Sequence, residues 1–507
     1  MTYSSFLGII TQRMLRLDRN IGSFNSIDGK EGIMKTERLL DRCKINTSTP
    51  NWIEYLIYSL LAFGVMLTYK YWDGKSMTVW STVLLDCTFD GRLYDFYEVL
   101  HQNIHGGPQW YCGYNYLILI PWAVWNIPIW IIQRFAGLQA VDHTLMMVWS
   151  QMFLVFLLGV TVLYSRKIME FFGVDHDTKA WSSYLIVTCP FTFLGIFVSG
   201  QSDFVVITTT VMAIYYLLQK KRTIFLLLMA FSISAKPFFI FALIAVILLV
   251  EKNVIKIIFQ LGSSIIPMVL FNLIYKDAPL YQESMNIGTS NSIIENTIAN
   301  CIAATGGNAS FVIMGLIVIY FIAYCIRYDG DDVGKKQYVI YMMVAPMAIY
   351  FAFANYEFYR RIYLIPFLII LMAIHRKFWT INLILEKVLS VCGVFLSLFG
   401  IFTAYLPCIN MGIMKRFGLE RDISKCRYPS ISHLMAAKLG ESSAAVQTIG
   451  ISVFVAVTVL LLLINFPWIA RRMPLPEYKC HRAVYWIDTA FMAMVAAVLF
   501  LCYFNVF

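Results

Sequence analysis

The chain has 507 residues, 59% of them hydrophobic and only 14% charged. A soluble domain carries about 25% charged residues, so this composition excludes a soluble globular protein and points to an integral membrane one. The net charge of +10 does not mark a nucleic-acid partner. Lys and Arg fall in short clusters between apolar runs (Lys220, Lys221 and Arg222; His375, Arg376 and Lys377; Arg471 and Arg472), the pattern by which cytoplasmic loops retain positive charge. Membrane lipids, not nucleic acid, are the expected surroundings.

Residues 1–51 are polar and mixed in charge, with no apolar core of the kind a leader peptide needs, and read as a cytoplasmic segment. A membrane crossing takes roughly 17–25 mainly apolar residues. The qualifying runs are 52–69, 114–132, 144–164, 181–199, 204–219, 223–250, 254–275, 311–327, 338–354, 361–374, 379–404, 446–466 and 483–506. The expected fold class is therefore all-α and polytopic, with about 11–14 transmembrane helices. It divides into a module 52–275 that includes an external loop 70–113, an external loop 276–310, a module 311–404, an external loop 405–445 and C-terminal helices 446–507.

The loop after the first run carries LLDCTFDGRLYDFYEVLHQNIHGG (84–107), with Asp86, Asp90, Asp95 and Glu98 close together. On a helical projection of 86–101, Leu93, Phe96, Tyr97 and Leu100 form an apolar face. Asp86 and Asp90 fall at its edge, Asp95 opposite toward solvent, and Glu98 between. A carboxylate turned toward the protein body is expensive unless paired or working, whereas in a plain hydrophilic loop all four acids are merely solvated. Gly91 is the weak point of the projection, because it can delay the helix until after Asp90. His101 and His105, at i and i+4, could help hold a divalent metal, but two His alone do not make a site, and no cofactor follows with certainty.

The run 114–132 raises a parity problem. As a simple crossing it puts 200–203 on the cytoplasmic side, while the basic loops require 200–203 outside; Pro121 and Pro128 allow a broken or re-entrant element that repairs this. Further on, SGQSDF (199–204) places Gln201 and Asp203 at the head of an apolar run, where the plain reading is a helix cap. The run 223–250 has Lys236-Pro237 in its middle and basic residues at both ends, so it reads as two short helices that meet at depth and return to the same side. A Lys in hydrocarbon needs a partner. ANYEFYRRIYLIPF (354–367) sets Tyr356, Glu357, Arg360 and Arg361 at a membrane edge. Arg there suits phosphate, or else merely snorkels to the interface. Eleven Cys show no metal-ligand spacing; Cys87 with Cys112, or Cys408 with Cys426, can pair only in an oxidising compartment.

The order of these pieces resembles the GT-C superfamily of polytopic glycosyltransferases, which use polyprenyl-phosphate-linked sugars. An acid-bearing first external loop (FDGRLYDFYEVL) is followed by a G-Q-x-D element (Gly200, Gln201, Asp203). A Lys-Pro then interrupts an apolar run (Lys236, Pro237), and an aromatic-acid-basic element leads to Pro-Phe (YEFYRRIYLIPF). The paired D-D or E-D signature of some eukaryotic mannosyltransferases is absent. The resemblance implies an inverting transfer of a sugar from a polyprenyl-phosphate donor to a glycan or lipid acceptor, on the non-cytoplasmic face of a bacterial plasma membrane (the ER membrane for a eukaryotic member). On this reading Asp90 is the first choice for the base that deprotonates the acceptor hydroxyl, then Asp86, then Asp95. Lys236, Arg360 and Arg361 would hold the donor phosphate, and Gln201, Asp203, Tyr356, Glu357 and Glu98 would line the substrate. The alternatives are a lipid-linked oligosaccharide transporter or flippase, a glycan polymerase or ligase, and a membrane scaffold.

Overall fold

In the computed structural model the described residues are 49–103, 112–278, 280–283, 293, 295–298, 300–304, 307–330, 332–354, 358–400, 404–472 and 480–506. The chain divides into a small unit, Met1–Ser48 with Lys479–Val484, and a body, Thr49–Tyr478 with Tyr485–Phe507. Apart from a two-stranded antiparallel hairpin, Cys301–Ala304 with Gly307–Ser310, and two isolated β-bridges, the regular structure among the described residues of the body is helical, as expected of an all-α polytopic protein. Every apolar run of the sequence contains helix. Among the described residues five helices are long and apolar enough to cross a membrane, or six if the pair His176–Thr188 and Pro190–Val198, bent by 45°, counts as one span. Large apolar side chains such as Ile255, Phe259, Ile317 and Phe321 lie on the outside, which suits lipid contact and would be costly in water.

The segment that carries the chemistry begins with α1 (Trp52–Thr68), opened by a capping box between Asn51 and Glu54. An extended link follows, pinned by Lys70 N–H donating to the Cys408 carbonyl at 2.7 Å. Next come α2 (Trp72–Phe89), α3 (Phe96–Asn103), α4 (Ile120–Ala136) and α5 (Thr144–Phe171). The single helix projected over 86–101 is not formed. Asp90 caps α2, Gly91 turns the chain at φ 70°, and a 3-10 turn over Leu93–Asp95 precedes α3. Phe96, Tyr97 and Leu100 are buried as the apolar face required.

Helix α4 runs unbroken through Pro128, so the expected break is absent. The Tyr114 ring just before it lies 4.0 Å from Lys236 Nζ, and Thr144 just after it accepts a hydrogen bond from Lys70 at 3.2 Å. Both flanks therefore sit at one end of the bundle, and α4 lies beside α2 in the same direction. Asn126 bonds Ser81 at 2.8 Å and Trp130 bonds Asp86 at 2.7 Å.

The hairpin of α7 (Asp203–Leu218) and α8 (Arg222–Ala235) is followed by α9 (Ile240–Val250); α6 is His176–Thr188. Lys236 leaves the helix at φ −153°, ψ 123°, because the ring of a following proline disfavours α geometry. Arg222 Nη1 meets Glu251 Oε2 at 3.1 Å, so the far ends of α8 and α9 come back together and Lys236 sits at the apex, as the basic flanks required. The basic turns gather at this far end: Lys252 Nζ donates to the Ala323 carbonyl at 3.0 Å, and Arg471 donates to the Gly334 carbonyl. At the opposite end Asn410 N–H bonds the Thr68 carbonyl at 2.8 Å, and Tyr275 Oη bonds the Leu93 carbonyl at 3.2 Å. The four thiols that the sequence allowed to pair, Cys87, Cys112, Cys408 and Cys426, are all free.

Candidate active site

Four polar segments converge at the apex. The first is the start of α2, where Asp73 lies in the first turn, a position that favours an acid because the helix N-terminus is positive. The second is the turn at Gly200. Its φ is +67°, and a Cβ placed there would stand 2.9 Å from the Gly74 Cα, so both the backbone conformation and the close approach demand glycine. That approach delivers Gln201, whose Nε2 donates to Asp73 Oδ2. Third, Asp203 opens α7 fully buried. Its Oδ1 accepts from Lys236 Nζ and from Tyr363 Oη, the latter at 2.8 Å. The fourth segment is the 3-10 turn Phe358–Tyr363, which carries Arg360 close enough for its charge to act on both Asp73 and Asp203.

The two acids have different environments. Asp203 and Lys236 are both wholly buried, an arrangement that neutralises each charge but leaves neither open to a ligand. Asp73 is only half-buried. Desolvation pushes its carboxyl above the ordinary aspartate range, against the pull of Arg360, Lys236 and the Gln201 hydrogen bond. A carboxylate poised upward and still reachable can take a proton. Lys70 and Lys75 flank it in sequence; burial and the nearby Lys75 pull the Lys70 ammonium down to about 8. With Arg360 they make this end of the bundle attractive to an anion.

The residues marked in the sequence distribute as follows. Gln201, Asp203, Lys236 and Arg360 come together. Arg361 turns away: its Nη2 donates to the Phe351 carbonyl at 2.9 Å, and it packs near Phe454. Tyr356 and Glu357 lie outside the described residues. Asp86 and Asp90 are 13 and 17 positions after Asp73 on or just past α2, hence about 20 and 25 Å along it. They do not face the protein body as projected. Both pair with Arg134, at 3.5 Å and 3.1 Å, and the Asp90 side chain is 35% exposed. Asp95 is exposed and Glu98 half-buried on α3. His101 is exposed and His105 lies outside the described residues; among the described residues no group of three or more His, Cys, Asp or Glu could hold a metal ion.

Asp73, Lys70 and Lys75 were passed over in the sequence. Their signal was YKYWDGK, an acid ringed by cations four residues past the first apolar run, and it was hidden by the denser acids downstream. Compared with protein-family models and with curated proteins, the chain matches none.

Proposed function

We propose that the chain is an inverting glycosyltransferase that uses a lipid-phosphate-linked sugar, with Asp73 as the base. The observation that carries this reading is Asp73 itself, reachable, desolvated, held by Gln201 and set beside Arg360 and the Asp203–Lys236 pair. In the proposed step the acceptor oxygen forms a bond to the anomeric carbon while the bond from that carbon to the donor phosphate oxygen breaks. The acceptor proton passes to the Asp73 carboxylate, and the lipid phosphate departs with the bonding electrons. A phosphate is a good leaving group, so this chemistry asks for one base and for cations at the leaving oxygen. Arg360 supplies the fork suited to phosphate. Lys236 acts through Asp203, whose orientation it fixes, and Lys70 and Lys75 add charge. A single displacement inverts the anomeric carbon.

The acceptor is a glycan or a lipid, and the reaction lies on the face opposite the basic turns, which the positive-inside rule makes non-cytoplasmic. The test is to incubate the purified protein with a panel of polyprenyl-phosphate sugars and candidate acceptors and to follow release of polyprenyl phosphate. Transport of intact donor without release would favour the flippase instead.

A further inference from the structure

At the end of the bundle away from Asp73, a cavity of about 320 Å³ opens between the α7–α8 turn and the segment that leads into α12 (Val333–Phe353). Its walls carry three cations, Lys220, Arg222 and Lys336, with the Tyr328 ring beside them and Leu217 and Val250 as apolar floor.

Lys336 is the informative residue. It is only 6% exposed. Its Nζ lies 3.5 Å from the Leu218 carbonyl and 4.5 Å from the Phe171 ring centre. Among the described residues no carboxylate reaches it within ion-pair distance, because the nearby acids are engaged elsewhere. Glu251 holds Arg222 at 3.1 Å, Asp329 stands 4.0 Å from Lys335, and Asp332 caps α12. Arg222 adds a second unsatisfied group: Nε bonds Gln260 at 3.0 Å and Nη1 bonds Glu251, but the buried Nη2 has no hydrogen-bond partner among the described residues. A buried ammonium without a counter-ion is expensive, and a guanidinium edge left open is suited to an anion with several oxygens.

We infer that this cavity binds a phosphate group, carried by the headgroup of an anionic membrane lipid. The volume is at the small end of ligand sites and fits a headgroup, not a sugar donor. The cavity also sits among the basic turns, the end where anionic lipids concentrate and where basic pockets between helices take their headgroups. It is a separate site from Asp73, about 20 Å away along α7 and α8.

The full chain, reconstituted in nanodiscs of phosphatidylcholine with and without phosphatidylglycerol, tests this by native mass spectrometry of retained lipid. The expected result is preferential retention of phosphatidylglycerol, weakened roughly tenfold or more by Lys336→Met, the scale of one charge-assisted hydrogen bond. Arg222→Gln carries the same expectation should Lys336→Met fail to fold. Inorganic phosphate that displaces the lipid, or that raises the unfolding temperature of wild type alone in phosphatidylcholine, would keep the phosphate site and make the natural ligand soluble. Equal retention of both lipids, or retention unchanged in both variants with no effect of phosphate, would overturn the inference.

Discussion

Asp73→Asn isolates the proposed base. Asparagine keeps the shape of the side chain, and its carbonyl can still accept from Gln201 Nε2, which now donates to Asp73 Oδ2. The Gly74–Gly200 approach and the buried Asp203–Lys236 pair are untouched, so the variant should fold and keep its donor. What is lost is proton removal, which contributes about 10²- to 10⁴-fold, or roughly 2.7–5.4 kcal/mol of barrier. The comparison is Asp90→Asn. That side chain is 35% exposed in a pair with Arg134, and such pairs contribute about 0–1 kcal/mol to stability, so turnover should stay near wild type. The assay is release of polyprenyl phosphate under single-turnover conditions, with donor affinity measured separately. The base assignment is wrong if Asp73→Asn turns over within tenfold of wild type while Asp90→Asn is inactive.

Turnover should rise with pH as Asp73 loses its proton, with the acid limb displaced above the ordinary aspartate value of 3.8 because desolvation raises this carboxyl. On the alkaline side Lys70 gives up its charge at about 8, so donor KM should climb above that pH, and Lys70→Met should flatten this limb of the profile while raising KM throughout. Gly200→Ala meets both a φ of +67° and a Gly74 Cα at 2.9 Å, whereas Gly91→Ala meets a φ of +70° and open space. The first should therefore lower both stability and kcat, and the second should cost only the backbone strain, about 1–3 kcal/mol, read as unfolding in detergent with activity kept. Lys387 lies buried between Glu386, at 2.7 Å, and Asp488; Lys387→Met should destabilise the body by about 3–5 kcal/mol, and a midpoint equal to wild type would contradict the pairing.

The architecture was legible wherever a segment could decide its own fate. Apolar runs became helices, and Pro237 broke one of them at Lys236 because the constraint is local to two residues. The return of α9 to the side where α8 began was also readable, since basic residues stood at both ends. The acid was not. Density of charge drew attention to 84–107, but a run of carboxylates close in sequence is most easily satisfied by one neighbouring cation at the surface, and Arg134 fills that role for Asp86 and Asp90.

Asp73 has the opposite character. Its hydrogen bond comes from Gln201, and the charges of Arg360, Lys236 and Asp203 act on it, an arrangement that exists only once α2 starts against the Gly200 turn. No spacing rule in a single sequence records that meeting. What did record it was Gly200, whose missing side chain lets the chain approach Gly74 and brings Gln201 against Asp73. The requirement is one-sided: a Cβ at Gly200 would stand 2.9 Å from the Gly74 Cα, whereas a Cβ at Gly74 would meet nothing nearer than 3.9 Å. A glycine at positive φ just before a Gln at the head of a span therefore constrains the site more tightly than the acids do. By that measure SGQ, rather than FDG, marks where the loop closes on the bundle, and the proposed chemistry follows the closure.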